Sequence, residues 1–255
     1  MVRQMKISYG TIKNTKQQDK PNEDLVFCDL DRNIFILLDG VSRDTINGVY
    51  PFPSPAAEAT EILKANIHKE LSVTLGNVRD RIVTAMMKAN AKVQEYNREH
   101  ILDFAAGAVG IIGVIEDQRF YYAYIGDCYG RVITGDKVEI FTTCQTQEIA
   151  RHKREYSTYE IRHIICNNIK HPCGYGVLNG DERAYDFIQS GVIDCANIDQ
   201  IILSSDGMEG YLSGAFIGEI YESTAQELII KAMRYNNKAQ DDRSVIKIEK
   251  EHLLQ

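Results

Sequence analysis

An α+β layered protein is the fold class the sequence predicts, and three features predict it. Strand candidates come in runs and helix candidates come together, the pattern of layered α+β proteins and not of alternating βαβ units. Two helical stretches carry apolar residues at helical spacing: Ala59, Ile62, Leu63, Ile67 and Leu71 in one, and Val78, Ile82, Ala85, Met86, Ala89, Val93 and Tyr96 in the other. Three apolar strand segments end in aspartate beside glycine, at Asp39-Gly40, Gly126-Asp127 and Asp206-Gly207. An ionised carboxylate resists leaving water unless something pairs with it, so the repetition points to one shared acidic site.

In chain order, Met5 to Tyr9 is a short strand and Thr11 to Pro21 a polar loop. Leu25 to Cys28 forms a strand, Asp29 to Asn33 a hairpin turn, and Ile34 to Leu38 a strand buried on both faces. Antiparallel pairing of those two strands puts Glu23 and Asp24 at the same sheet edge as Asp39. Ser42 to Pro53 is a loop containing Gly48. Ser54 caps the first helix with Pro55 at its first position, and the second helix begins near Asn77 with Asp80 in its first turn. Strands follow at Ala108 to Ile115, Arg119 to Ile125, Gly130 to Thr134 and Val138 to Thr142, read as an antiparallel meander. Thr143 to Asp181 is polar and weakly periodic, which predicts a flap over the site. Tyr185 to Ile188 and Gln200 to Ser204 are strands. Ser223 and Gln226 are spaced as a capping box for a helix to about Tyr235. Asn236 to Asp242 is polar, and Arg243 to Ile248 closes the chain as a strand.

The 255 residues can bury one sizeable core, and one domain over 1–255 is expected. A net charge of −7 argues against binding a nucleic-acid backbone. No apolar run is long enough to span a membrane, and Met1 to Lys6 lacks a signal-peptide core. The six cysteines show no Cys-x-x-Cys spacing, so neither a zinc site nor a disulfide framework is expected. A cytoplasmic, monomeric protein follows as the expectation.

Glu23, Asp24, Asp39, Asp127, Asp206, Asp241 and Asp242 collect at predicted strand ends, with no histidine or cysteine at ligand spacing. All-oxygen sites suit hard cations such as Mg²⁺ and Mn²⁺. Crowded carboxylates take up protons unless cations neutralise them. Two divalent ions would do so and would activate a water for in-line hydrolysis of a phosphoester.

Asn22-Glu23-Asp24 followed by Leu38-Asp39-Gly40 resembles the opening motifs of the metal-dependent protein phosphatase family, type 2C. Ala106-Gly107-Ala108-Val109 with Ile125-Gly126-Asp127 is similar to its central hairpin. Ser204-Ser205-Asp206-Gly207-Met208 resembles its penultimate motif, and Asp241-Asp242-Arg243-Ser244-Val245 its closing one. The resemblance implies a four-layer sandwich, two antiparallel β-sheets face to face flanked by helices. It also implies a serine/threonine phosphatase acting on phosphorylated proteins, opposing a cognate kinase. Carried over, Asp39 would bridge two Mn²⁺ or Mg²⁺ ions, Asp206 and Asp241 would hold the first, and Glu23 with the Gly40 carbonyl would serve the second. Asp24 would support Glu23, and Asp127 would contribute to a third, weaker ion.

Four positions depart from that pattern, one of them Val41, which follows Asp39-Gly40 where many members have histidine, as a hydrophobic residue often does in bacterial members. Asp242 stands where the family usually has asparagine, and Gly210, beside Glu209, where it usually has a second aspartate. The phosphate-gripping arginine before the Glu-Asp pair is missing; Asp19, Lys20 and Lys16 stand there instead, which makes Lys20, then Lys16, the expected phosphate contacts, with Arg151, Lys153 and Arg154 as further cations. Gly210 and the missing arginine also motivate an alternative, a catalytically weak or dead relative that binds a partner; the retained Glu23, Asp39, Asp206 and Asp241 weigh against it. A thiol phosphatase is excluded because no cysteine has an arginine six residues later. The Asp29-Leu30-Asp31 segment lacks both the residue pattern of a dehalogenase-like nucleophile loop and the glycine and glutamate of a calcium loop.

Overall fold

The computed structural model describes residues 5–16, 20–41, 49–100, 104–215, 217–235 and 241–250. The expectations for Met1 to Gln4, Asp19, Ser42 to Gly48 and Asn236 to Gln240 lie outside the described residues. The first half contributes β1 (Met5–Ile12), β2 (Leu25–Asp29), β3 (Ile34–Gly40), α1 (Pro55–Val73) and α2 (Val78–His100). Then come β4 (Ala108–Glu116), β5 (Arg119–Ile125), β6 (Tyr129–Thr134) and β7 (Lys137–Ile140). The second half contributes α3 (Gln147–His152), α4 (Thr158–Glu160), β8 (Gln189–Asp194), β9 (Gln200–Ser204), α5 (Glu209–Leu212), α6 (Ile217–Glu222), α7 (Ala225–Tyr235) and β10 (Arg243–Lys250).

Among the described residues these strands form two five-stranded antiparallel sheets, ordered β1-β10-β9-β6-β7 and β2-β3-β4-β5-β8. The alternation of β3 explains the layering. Ile34, Ile36 and Leu38 pack with α1 and α2, whereas Phe35 and Leu37 face Leu203, Ile246 and Ile248 of the other sheet. A third cluster packs Leu228, Ile229 and Ala232 of α7 against Ile202 and Val245. Helices, sheet, sheet and helices therefore make four layers, as the sequence implies.

Ser54 caps α1, its hydroxyl accepting from the Ala57 amide, with Pro55 at the first position. The capping box of α7 is shifted by one from the expected pair: Glu227 accepts from the Thr224 amide at 2.8 Å, and the Thr224 hydroxyl accepts from the Glu227 amide at 3.3 Å. The strands after Gly107 are not one meander. β4 and β5 pair in one sheet and β6 and β7 in the other, so the chain changes sheets at Gly126-Asp127-Cys128. Gly126 adopts φ +87°, and a side chain there would strike Val109. Tyr185 to Ile188 is not a strand; Glu182–Phe187 is a 3₁₀ turn that leads into β8. β8 is an edge strand reading Gln-Ser-Gly-Val-Ile-Asp, too polar for apolar patterning to reveal.

Residues 143–181 divide into two parts. The outer part, through α3, α4 and the turn Ile161–Ile165, packs a small core of Ile149, Ile165 and Cys173. The inner part is built onto the sheet: Leu178 bridges to Ala108, and the Asn167 amide side chain both donates to and accepts from Val177 at 2.9 Å. No helix among the described residues is long and apolar enough to cross a membrane.

Register sets seven strand termini on one edge. Leu25 pairs with Leu38, Asp39 with Val109 and Gly110 with Ile125 in one sheet; Ser204 pairs with both Val245 and Tyr129 in the other. At that edge the turns after β9 and before β10 abut: a Cβ on Gly207 would overlap the Asp242 carbonyl oxygen. Gly207→Ala should therefore force these turns apart and destabilise the metal-free protein by about 3 kcal/mol, lowering its melting midpoint by roughly 6–12 °C. A midpoint within two degrees of wild type, measured by calorimetry in chelator, would refute this packing.

Candidate metal centre

The aligned strand ends bring carboxylates of both sheets together. Asp39 closes β3, Glu23 and Asp24 lead into β2, Asp127 lies between β5 and β6, Asp206 follows β9, and Asp241 precedes β10. Burial raises the Asp39 carboxyl well above the usual carboxylate range, and the charges of Asp24, Asp206, Asp127 and Asp241 raise it further. Asp206 is pushed up to about 8, first by burial and then by Asp127, Asp241 and Asp24; a hydrogen bond to Asp39 opposes the rise. Burial pushes Asp24 up to about 7, although the Ser244 and Ser205 hydroxyls hydrogen-bond it. Asp127 and Asp241 are also raised by burial, the first offset by the Thr146 hydroxyl at 2.8 Å and the second by the Lys20 charge. Five of the predicted site acids thus sense one another, and the raised carboxyls favour protons over bare negative charge in the metal-free protein.

Glu23 adjoins Gly40, the residue after Asp39, in a different environment, where Lys20 is sensed by Glu23 and Asp242 and also by Asp241. It is 1 % exposed. One carboxylate oxygen accepts from the Tyr50 hydroxyl at 2.5 Å and from the Ser54 hydroxyl, and the other lies 3.1 Å from the Lys20 ammonium. Gly40 abuts it: its amide donates to the Glu23 carbonyl, and a Cβ on Gly40 would approach that oxygen to 2.8 Å. Lys20 itself is 5 % exposed and also faces Asp242 at 3.6 Å. Burial alone would lower the Lys20 pKa, but Glu23 and Asp242 outweigh it and hold the ammonium charged. The expected phosphate contact at Lys20 does not match this placement, because its ammonium is engaged by two buried carboxylates. Lys16 is exposed on the preceding loop, its amide donating to Asn14.

Asp242 adds its charge to the acid group, raising Asp24 and Asp241, but its own oxygens are used elsewhere. Its two oxygens accept from the Asn14 amide at 2.7 Å and the Glu23 amide at 2.8 Å, which ties the start of β10 to the N-terminal loop and the entry of β2. Cys128 is 1 % exposed, and burial raises its thiol well above the ordinary value, with Asp39 and Asp127 adding to the rise; such a thiol is inert.

Several supports were not legible as site residues. Tyr50 sits in a loop read only as a loop. Thr146 and Gln145 lie at the start of the expected flap, and Gln145 accepts from the Gly126 amide at 2.9 Å, which fixes the turn bearing Asp127. Arg131, buried in β6, donates to Ser204 at 3.2 Å and pairs with Glu209, steadying both sides of Asp206. The one available signal was an arginine inside an apolar strand, a residue rarely buried without a partner.

Whether the donors suit a divalent cation can be judged from the acids themselves. The donor set is entirely oxygen, as hard cations require. Asp206 Oδ1 and Asp24 Oδ2 are buried without a hydrogen-bond donor, a costly condition that a cation would relieve. No three histidine, cysteine, aspartate or glutamate side chains form a ready-made cage among the described residues; Mg²⁺-type sites use one or two carboxylates and several waters, so a cage is not required. The residues at the Asp39–Asp206 end fit a divalent cation.

No protein-family model matches the sequence, and no curated protein matches it. Solved structures do. A bacterial serine phosphatase aligns at TM-score 0.72 and 16% identity over 97% of this chain and 98% of its own. The serine/threonine phosphatase PstP of Mycobacterium tuberculosis aligns at TM-score 0.72 and 18% identity over 97% and 99%. The PstP catalytic domain in complex with 2 manganese ions aligns at TM-score 0.70 and 18% identity over 96% and 97%. The chain has the fold of the bacterial serine/threonine phosphatases. The type 2C resemblance read from the five motifs is thus matched by a fold that spans the whole sandwich.

The raised carboxyls set a pH dependence. Asp24 and Asp206 titrate near 7 and 8 in the folded metal-free protein but near about 3.9 when unfolded. Between those limits the folded state holds more protons, so stability falls as pH rises. In chelator, the urea midpoint should be lower at pH 8 than at pH 5.5, and Asp206→Asn should flatten that slope. Saturating Mn²⁺ should reverse it, because a cation displaces the protons. A midpoint in chelator that is unchanged or higher at pH 8 would show that the cluster is not protonated.

Proposed function

We propose that this chain is a metal-dependent phosphatase that removes phosphate from phosphoserine and phosphothreonine in proteins, with Mn²⁺ or Mg²⁺ held at the cleft. The observation that supports this most directly is the meeting of Asp39, Asp206, Asp241, Asp127 and Asp24 from both sheets, with two buried carboxylate oxygens lacking donors. The structural similarity to serine/threonine phosphatases, one of them solved with manganese, supports the same reading.

In this reading Asp39, Asp206 and Asp241 are the residues that would hold the ion, which supplies Lewis acidity and lowers the pKa of water when bound. Asp24 is hydrogen-bonded by Ser205 and Ser244 and keeps one buried oxygen without a donor, which would be free to orient water. Asp127, braced by Thr146, adds negative charge on the side where Gly126 turns the chain between sheets. Glu23 and Gly40 pack against each other and shape one wall. Cys128 is excluded as a nucleophile by its burial and its raised pKa.

A cavity of 820 Å³ adjoins Val41, the residue after Gly40, and is lined on its other side by Arg98, Phe104, Arg162 and His163. Arg162 stacks over the Phe104 ring at 4.5 Å. This cavity is walled by α2 and by the segment expected to be a flap and touches the cleft side through Val41, and it is where the polypeptide flanking a phosphoresidue would lie. The flap then selects substrates without doing chemistry.

Three measurements test this. Hydrolysis of a small aryl phosphate should vanish in chelator and return with Mn²⁺ or Mg²⁺, and Asp39→Ala or Asp206→Ala should lower kcat by roughly a thousandfold, the scale on which removing a transition-state contact acts. Undiminished turnover in chelator would refute the mechanism. Cys128→Ser should keep most of the activity; a trapped phosphocysteine would overturn the assignment of the attacking group to water. Replacing only the outer part, residues 147–164, with a short linker should slow turnover of a phosphoprotein at least tenfold more than that of the aryl phosphate. Equal losses on both would count against a selecting flap.

A further inference from the structure

The two ends of the cleft are neutralised in different ways. At the Asp39–Asp206 end the carboxylates face one another, share a hydrogen bond and leave Asp206 Oδ1 without a donor. At the Glu23 end both carboxylate oxygens already have partners: Tyr50 and Ser54 on one, and the Lys20 ammonium on the other. That ammonium reaches Asp242 as well, at 3.6 Å, from a position 5 % exposed. It stands where a second divalent cation using Glu23 would need its charge to be.

We infer that Lys20 is a tethered cation that takes the place of a second metal ion at the Glu23 end of the cleft. This rests on the reading of the cleft as a divalent-cation site. The chain then holds one divalent ion strongly, at the Asp39–Asp206–Asp241 end, and admits a second near Glu23 only by breaking the Lys20 ion pairs. Two physical terms set that order. A dication beside a buried ammonium is repelled with little screening, because water is largely excluded. Displacing Lys20 also takes the ammonium from two buried carboxylates, Glu23 and Asp242, leaving the charge of Arg243 facing Asp242 alone, and breaking a buried ion pair from one side is strongly destabilising. Asp242 cannot swing away to compensate, since its oxygens hold the amides of Asn14 and Glu23.

Lys20 and Asp242 therefore form one unit. A neutral asparagine at 242 would need no counter-ion and would leave Glu23 open to a cation, whereas an aspartate there draws in the lysine. In this reading Lys20 is a positioning residue, and its effect is seen in metal stoichiometry before it is seen in rate.

The test is a Mn²⁺ titration of the full chain after chelator treatment, followed by calorimetry and by the electron paramagnetic resonance signal of free Mn²⁺. The wild-type protein should bind one Mn²⁺ per chain, with a second site at least tenfold weaker. Lys20→Met should strengthen that second site at least tenfold, while Lys20→Arg, which keeps the charge, should leave the wild-type pattern. Should Lys20→Met lose its native circular dichroism because Asp242 has lost the ammonium, the charge-matched double variant Lys20→Met/Asp242→Asn replaces it, with the same gain expected. Two sites of like affinity in the wild-type protein would overturn the role of Lys20 and leave the phosphatase reading intact. A single site in wild type and in every folded Lys20→Met variant would overturn it as well. Absence of Mn²⁺ binding in all of them would remove the cation reading and this inference together.

Discussion

Mutual repulsion among buried carboxylates is the constraint on which this molecule turns. Antiparallel register in two separate sheets places the ends of β3, β5 and β9 and the starts of β2, β4, β6 and β10 along one edge. Each sheet is held by apolar packing on both faces, and that packing leaves the acids no freedom to move apart. The core thus imposes a concentration of negative charge that would not assemble by itself. Something positive must answer it: the raised carboxyls of Asp206 and its neighbours draw protons, Lys20 stands against Glu23 and Asp242, and Arg243 is buried next to Asp242 in the chain.

The groups that hold the acids in place are mostly hydroxyls and amides. Tyr50 and Ser54 hold Glu23, Ser205 and Ser244 hold Asp24, and Thr146 holds Asp127. A neutral donor fixes the orientation of a carboxylate without cancelling its charge, so it preserves the attraction for a cation that an arginine would remove. One of two buried arginines of this region, Arg131, follows the same logic. Arg131 approaches Asp206 from behind, through Ser204 and Glu209, and its charge is answered by Glu209 instead of by the cleft. Ser54 shows how economically the supports are made, since the hydroxyl that caps α1 also donates to Glu23.

Much of this was legible in the sequence where apolar periodicity and glycine were the signals. The stripes of α1 and α2, the strand ending at Asp39-Gly40 and the paired entry of Glu23 and Asp24 follow from local pattern and pairing geometry alone. What failed were features decided by tertiary pairing. β8 is a polar edge strand recognisable only once β5 is there to pair with it. The change of sheet at Gly126 could not be told from a hairpin, because both need a tight turn between apolar strands. The capping box of α7 shifted by one because Ser223 already donates its hydroxyl to the Glu219 carbonyl and accepts from Lys231. The site behaved likewise. The acids were visible because they stand at strand ends, whereas Thr146, Tyr50 and Arg131 lie up to tens of residues from the acid group they serve.

Lys20 and Asp242 show how two departures in sequence can be one change in the molecule. An asparagine side chain offers a single acceptor oxygen. Here two amides from distant loops, Asn14 and Glu23, each take a different oxygen of Asp242. A carboxylate satisfies both, and it tightens the junction between the N-terminal loop, β2 and β10. It also introduces a buried charge beside Glu23, which no serine or tyrosine can cancel. Only a cation on a chain long enough to reach the interior resolves that conflict, and Lys20, three residues before Glu23, does so with its ammonium between the two carboxylates. The stronger junction and the engaged lysine are therefore inseparable, and any function of this cleft has to work around both.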